Sequence, residues 1–338
     1  MASVATEPRV ERLTSPAVRT CYDVLTVVPA CGLTDLTDGK YIDDRNDRAS
    51  YLAAQERQAE YLLDEVHCGP GTRLLDVGCG YGRILEHAGQ RGATAIGITI
   101  SPPQVAADQA RGLDVRELNY RNIFARANAP LNSFEEDFGE HCPEEGMHPW
   151  EHAFDAIVAN GSLEHFVQVT DAVGGLADQI YEELFAICRR LLVDGGRFVT
   201  TAIHCRGVGQ FDPAEIARGH QAHPRGSENY QYAMLVESFG GWYPEPGQLE
   251  RCADSYFNLV NEEDGTHDYH LTSEHWQRRF FRSLVASPFV WWTLGKQLWI
   301  RPRAAWQMFQ LQVFDQSWPW QFRPPAPMRL LRQTWQAK

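Results

Sequence analysis

The sequence predicts an α/β protein with a mostly parallel sheet and helices on both faces. Three observations carry that prediction. Short apolar strands alternate with helical patterns from residue 73 to residue 203, as in consecutive βαβ units. The first strand runs directly into a glycine-rich loop. The chain has 338 residues, 43% of them hydrophobic; at that length roughly three quarters of the unfolded surface can be buried without disulfides or metal.

The elements follow in order. Residues 1–68 read as an N-terminal helical segment, with YLAAQERQAEYLLDEV at helical spacing and Gly69-Pro70-Gly71 stopping it. RLLDVG (73–78) is a buried strand, YGRILEHAGQRG a helix, and TAIGITI (94–100) a strand. Ser101 caps a helix that carries prolines in its first turn, and DVRELNY (114–120) is a third strand. Residues 124–153 are polar and acidic and read as an insertion. FDAIVAN (154–160) is a fourth strand, 171–193 a helix closed by glycine, and RFVTTAI (197–203) a fifth strand. Residues 69–204 therefore make the core. Residues 205–255, rich in Gly, Pro and His, read as a lid over the carboxyl edge of the sheet. Residues 256–314 complete the sheet with a strand at 256–260, a helix near 272–286 and a late strand at 306–314. Residues 315–338 read as an aromatic, proline-rich tail.

Charge and cysteine usage exclude several functions. A net charge of −13 argues against a binder that tracks nucleic-acid phosphates, and it shows no basic surface facing a membrane. No run of about 18 apolar residues occurs, so stable membrane insertion is not expected. The charged N-terminus MASVATEPRVERL lacks an apolar signal region. Eight scattered cysteines without a CxxC pair read as free thiols, which places the protein in the cytoplasm. Three lysines among thirty-one basic residues match bacterial GC-rich codon usage. His141, Cys142, His148 and His152 fit no metal-ligand spacing, so no metal is assigned. Of ten tryptophans, eight lie from residue 276 onward; they read mainly as core, with the remainder free to line a substrate pocket. A small molecule is the expected partner, and a homo-oligomer is allowed.

The strongest motif is Leu74-Leu75-Asp76-Val77-Gly78-Cys79-Gly80-Tyr81-Gly82. Glycines at a strand-to-helix turn let the backbone approach a ligand at a helix N-terminus. A dinucleotide fingerprint would need a third glycine where Arg83 stands and an acid after the second strand, which ends Ile98-Thr99-Ile100. An acid two residues before GxGxG instead resembles the class I S-adenosylmethionine (SAM) methyltransferases.

Further segments sharpen the resemblance. Gly97-Ile98-Thr99-Ile100-Ser101-Pro102-Pro103-Gln104 resembles the GxTxSxxQ segment of the cyclopropane-fatty-acid synthase family, which includes the mycolic acid cyclopropane synthases. Leu113-Asp114-Val115 with Asn119-Tyr120-Arg121, Phe154-Asp155 leading to Leu163-Glu164-His165-Phe166, Asp268-Tyr269 with Trp276 and Arg279-Phe280, and Gln310-Leu311-Gln312-Val313-Phe314 are similar to further family elements. The resemblance covers about residues 40–314. It implies a seven-stranded, Rossmann-like methyltransferase sheet with SAM as cofactor. Asp76, Gly78, Cys79, Gly80, Thr99, Ile100, Gln104, Asn119, Tyr120, Arg121 and Asn160 would bind the cofactor, and Glu164, His165 and Tyr269 would be catalytic.

The same resemblance implies attack of an alkene on the sulfonium methyl, a carbocation, and loss of a proton to a base. Family members hold bicarbonate as that base with Cys, Glu, His and Tyr. Here the Cys position falls near Gly39 and the His position near Thr201, with His204 close by as a substitute, so bicarbonate is doubtful. Glu164 is then the expected base, in an apolar pocket with aromatic faces toward the cation. Two acceptors compete: an unsaturated acyl chain, and an isoprenoid such as a prenyl diphosphate. The diphosphate would require Mg2+ and an arginine cluster, for which Arg206, Arg218 and Arg225 are available. Cyclopropane-fatty-acyl synthesis proper, N- or O-methyl transfer, and silent SAM binding are the alternatives.

Overall fold

The computed structural model describes residues 36–124 and 148–338, together with Val18, Thr20, Cys21, Val24, Leu25 and 27–33. Most of the acidic insertion, with His141 and Cys142, lies outside the described residues. The sheet has seven strands in the order β3-β2-β1-β4-β5-β7-β6. They are β1 (Arg73–Val77), β2 (Thr94–Thr99), β3 (Val115–Glu117), β4 (Phe154–Asn160), β5 (Leu192–Cys205), β6 (Phe257–Asp264) and β7 (Met328–Ala337). The first five are mutually parallel, while β7 runs antiparallel to both β5 and β6. This is the fold of the class I methyltransferases. The strand order reverses at β1, and in open α/β sheets ligands bind at the carboxyl edge beside such a switch point.

Helix α1 (Arg48–Glu65) starts where Asp47 accepts from the Ser50 N–H, and it buries Ala59, Leu62 and Leu63. Helices α2 (Arg83–Gln90) and α3 (Pro102–Gln109) follow β1 and β2. Helix α4 (Ala177–Leu191) lays Tyr181, Leu184, Phe185 and Cys188 on the other face of the sheet, where Phe185 packs edge-on against Phe198 and Trp335. The lid segment carries α5 (Glu228–Phe239) and α6 (Gln248–Ala253). Three longer helices, α7 (Thr266–Ala286), α8 (Pro288–Ile300) and α9 (Pro302–Gln310), and a short one, Ser317–Trp320, precede β7.

Four expectations need correction. The helix expected over 171–193 is two, Val169–Val173 and α4, and the chain passes straight from Leu191 into β5, which contains Gly195 and Gly196. The third strand is shorter than expected, because Asn119 accepts from the Arg121 N–H and turns Tyr120–Asn122 into a 3-10 turn. Residues 306–314 are helical: the alternation of WQMFQLQVF also satisfies a helical period, and Ala305 and Leu311 are the buried positions. The last strand lies inside the expected tail instead. Its polar triplet Arg332-Gln333-Thr334 hides a strand buried from Leu330 to Trp335, because each of those side chains has a carboxylate partner: Asp38, Glu263 and Asp268 for Arg332, Glu250 and Glu262 for Gln333, Glu65 for Thr334.

Candidate active site

A cavity of about 710 Å3 opens at the carboxyl edge of β1, β2 and β3. Gly78, Gly80, Thr99, Ile100, Gln104, Asn119, Tyr120 and Arg121 all line it, with Ser162, His165 and Phe166 opposite and Ile216, Val236 and Gly240 from the lid. A smaller chamber of about 90 Å3 shares Gly78, Gly80 and Gln104 with it, and adds Asp76, Cys79 and Asn160. Every residue expected to bind the cofactor therefore stands on one of two adjoining cavities.

Local geometry explains the residue types. Gly78 has φ +82°, and a Cβ there would come within 2.6 Å of the Ser162 Cβ, so Ser162 and Gly78 fit only together. Ser162 Oγ donates to the Val77 carbonyl at 2.8 Å, which ties the loop after β4 to the glycine turn. Gly80, with φ +57°, has open space where a Cβ would point. Thr99 Oγ1 donates to Gln104 Oε1 at 2.7 Å, so these two side chains hold each other across the start of α3. Tyr120 leans on Phe166 with ring centroids 4.5 Å apart, and Arg121 pairs with Glu183.

Two buried atoms in this cradle lack partners. Asp76 Oδ1 has none, and burial, reinforced by Asp108, pushes the Asp76 carboxyl up to about 8. Tyr120 Oη also has none. A ligand with an ammonium group beside Asp76 and a ribose–adenine part along Thr99, Gln104 and Tyr120 would satisfy both. The donor set fits SAM.

Glu164 sits on the 3-10 turn Leu163–His165 after β4 and is only 4% exposed. It does not line either cavity, although Ser162 and His165 line the larger one. Trp242 N–H donates to the Glu164 carbonyl at 3.0 Å, and Gly241 packs directly on that carbonyl. Burial pushes its carboxyl up to about 8, opposed by backbone amides of Glu164 and Ile203 and reinforced by Asp38. Its Oε2 has no hydrogen-bond partner. Burial holds the adjacent His165 ring down to about 4, so it is neutral. Tyr269 stacks on Phe322 at 4.4 Å and meets Trp276 edge-on.

Positions 39 and 201 are committed to structure. Gly39 N–H donates to Thr272 Oγ1 at 3.1 Å, one helical turn from Tyr269. Thr201 Oγ1 accepts from the Gly161 N–H and donates to Asn160 Oδ1 at 2.6 Å. His204 lies three residues further along β5, hence on the opposite face from Thr201, and does not take its place. Burial pushes it down to about 3, with neither ring nitrogen partnered. The three lid arginines are engaged separately: Arg218 with Glu215, Arg225 with Asp315, Arg206 with the Ala326 carbonyl. Among the described residues, no three His, Cys, Asp or Glu side chains stand together as metal ligands.

Sequence reasoning missed the wall beyond the chamber. Leu25, Val28 and Leu36 line both the small chamber and an apolar pocket formed with Phe239, Trp276 and Trp318. It also missed Asp38 and the Gly240-Gly241 clamp, of which only the glycine doublet left a local signal.

Fold and cradle together define a Rossmann-like protein of the class I methyltransferase type. Within that class the chain belongs to the mycolic acid cyclopropane synthetase family, whose model matches residues 43–286. It is 26% identical over 151 residues to cyclopropane mycolic acid synthase 2 of Mycobacterium leprae, a match covering 44% of this chain and 43% of that protein. The chain thus spans under half the length of that relative. Its fold is similar to a cyclopropane synthase of Mycobacterium tuberculosis, with a TM-score of 0.67, 16% identity, and coverage of 99% of this chain and 100% of the other. It is also similar to geranyl diphosphate C-methyltransferase of Streptomyces coelicolor A3(2), solved with Mg2+, geranyl diphosphate and S-adenosyl-L-homocysteine (TM-score 0.56, 16% identity, 96% and 100% covered).

Proposed function

We propose that the protein is a SAM-dependent C-methyltransferase acting on a carbon–carbon double bond in an unsaturated acyl or isoprenoid chain. The observation that carries this reading is the shared wall of Leu25, Val28 and Leu36, where an apolar pocket adjoins the glycine turn. Among the described residues that pocket is lined mainly by aliphatic and aromatic side chains, with Gln312 as a polar one. An acceptor lying there presents carbon to the methyl group; an amine or hydroxyl acceptor would leave its polar group unpaired in that wall.

Bound SAM supplies an electrophilic sulfonium methyl. Asp76, with its unpartnered Oδ1, would hold the ammonium end, and Thr99 and Gln104, which brace each other, would orient the ribose side. Trp276 and Trp318 line the apolar pocket and would offer ring faces that stabilise positive charge on the acceptor, with Tyr269 edge-on to both and stacked on Phe322. Glu164, backed by its amide contacts, is the group that takes the proton. To act as base its raised carboxyl would first have to lose its own proton to solvent, which a cationic cofactor bound nearby would favour, since opposite charge stabilises the charged form. The apolar surroundings exclude water that would otherwise quench the cation. The separate engagement of Arg206, Arg218 and Arg225 favours an acyl chain over a prenyl diphosphate.

The experiment is turnover of methyl-labelled SAM with unsaturated acyl chains, prenyl alcohols and prenyl diphosphates, the last with and without Mg2+. Label recovered on carbon of an acyl or prenyl chain supports the reading. Label on oxygen or nitrogen only, or SAM binding without transfer to any alkene, overturns it.

A further inference from the structure

The overall charge of −13 conceals a stretch of the opposite sign. From His275 to Phe314 the chain holds no Asp or Glu, but six cations: Arg278, Arg279, Arg282, Lys296, Arg301 and Arg303. The same stretch is the most apolar part of the surface. Helix α8 buries only Val290 and Leu294. Phe289, Trp292 and Trp299 share a face with Lys296 at spacings of three and four. Trp292 is 68% exposed and Trp299 89%, and Ile300, Trp306 and Phe314 add to the patch. Single exposed hydrophobic residues need no explanation, but a contiguous aromatic face does.

A second observation lies at the base of α8. Arg48, Arg278, Arg279 and Arg282 line a cavity of about 310 Å3 together with Asn46 and His275. Among the described residues none of these four arginines pairs with a carboxylate; Arg278 and Arg279 donate to the Asn46 and Cys31 carbonyls. Asp47 also lines the cavity, but its side chain caps α1. The Cys31–Leu33 turn separates this cationic cavity from the apolar pocket, which Phe280, Leu294 and Met308 close on the α8–α9 side.

We propose that this face docks the protein on an anionic phospholipid surface, with the tryptophan stripe in the interface and the arginine cavity over a lipid phosphate. Tryptophan beside Lys and Arg is the composition that settles at a bilayer–water boundary, and clustered cations are attracted to anionic headgroups. A second copy of the chain fits less well, because a two-fold contact would set the six cations against one another. Residues 287–314 lie beyond the family match. Docking stands apart from the methyl-transfer chemistry. Only its consequence, entry of an acyl chain into the apolar pocket from the lipid, rests on that proposal.

Flotation of the full chain with vesicles tests docking without reference to turnover. The chain is expected to float with phosphatidylcholine–phosphatidylglycerol vesicles, to stay behind with phosphatidylcholine alone, and to be released by high salt. Arg282→Glu with Lys296→Glu should weaken binding about tenfold or more, since each cation near an anionic surface counts. Trp292→Ala with Trp299→Ala should weaken it comparably, and unchanged thermal melts would show that both variants fold. Absent flotation, equal binding to neutral vesicles, or unaltered binding by both double variants would overturn the proposal. So would loss of a dimer by the tryptophan pair without vesicle binding. Inorganic phosphate or glycerol phosphate binding tightly in the arginine cavity, with no vesicle binding, would assign that cavity to a soluble ligand and overturn it too.

Discussion

The cofactor side and the acceptor side of the site are built in opposite ways. On the cofactor side, all but one of the expected contacts fall between Asp76 and Arg121, on two consecutive βα turns and the start of a third. On the acceptor side, Gly39 meets Thr272, Trp276 Nε1 donates to Tyr51 Oη, and Arg332 reaches Asp38, contacts separated by 225 to 294 residues. A local turn carries its chemistry within its own few residues, whereas a wall assembled from distant segments depends on residues that the chain brings together only on folding.

The comparison can be broken from either side. The largest effect is expected on the cradle: Gly80→Val should abolish measurable SAM binding by calorimetry, because a β-branched side chain both strains the turn at φ +57° and fills the space above it. A thermal melt would check that the sheet still folds. Micromolar affinity in the folded variant would remove SAM from that place. Next comes Glu164→Gln, which should keep SAM affinity within a few fold and lower turnover by roughly 10²–10⁴, the span of a general base. Normal turnover, or arrest of the wild type on bicarbonate depletion, would show that Glu164 is not the direct base.

Arg332 tests the distant wall. Its side chain is 0% exposed and bonded to Asp38, Glu263 and Asp268. Removing one partner of a buried network leaves the others uncompensated, so Arg332→Met should cost about 3–5 kcal/mol in denaturant unfolding. A loss within about 0.5 kcal/mol, as at a surface site, would mean that the network holds nothing together.

A proton count sharpens the cradle. The Asp76 carboxyl, pushed up to about 8, is protonated near pH 7. Binding of an ammonium there should release a proton, seen as a buffer-dependent binding enthalpy and absent in Asp76→Asn. The same sign governs stability. A carboxyl raised on folding keeps its proton where the unfolded chain has lost it, so its contribution is complete below the unfolded value near 4 and falls as pH rises to about 8. Both Asp76 and Glu164 therefore make the ligand-free protein less stable at pH 8 than at pH 5, and Glu164→Gln should flatten that slope in thermal melts. The smallest effect belongs to Tyr269→Phe, expected to lower turnover less than tenfold, since the ring face on Phe322 remains and only the hydroxyl is lost.

The sequence alone determined the parallel core and the cradle. Glycine at positive φ, an acid at the strand end and Thr99 five residues from Gln104 are local requirements, written within one turn of the residues that need them. Tertiary structure decided the rest. β7 was hidden because Arg332, Gln333 and Thr334 look like surface residues until their carboxylate partners on other elements are known. Residues 306–314 satisfied two periods at once, and only packing of Ala305 and Leu311 selected the helix. The exposure of Trp292 and Trp299 was equally hidden in a sequence whose tryptophans read mainly as core, because packing alone decides which of them are covered.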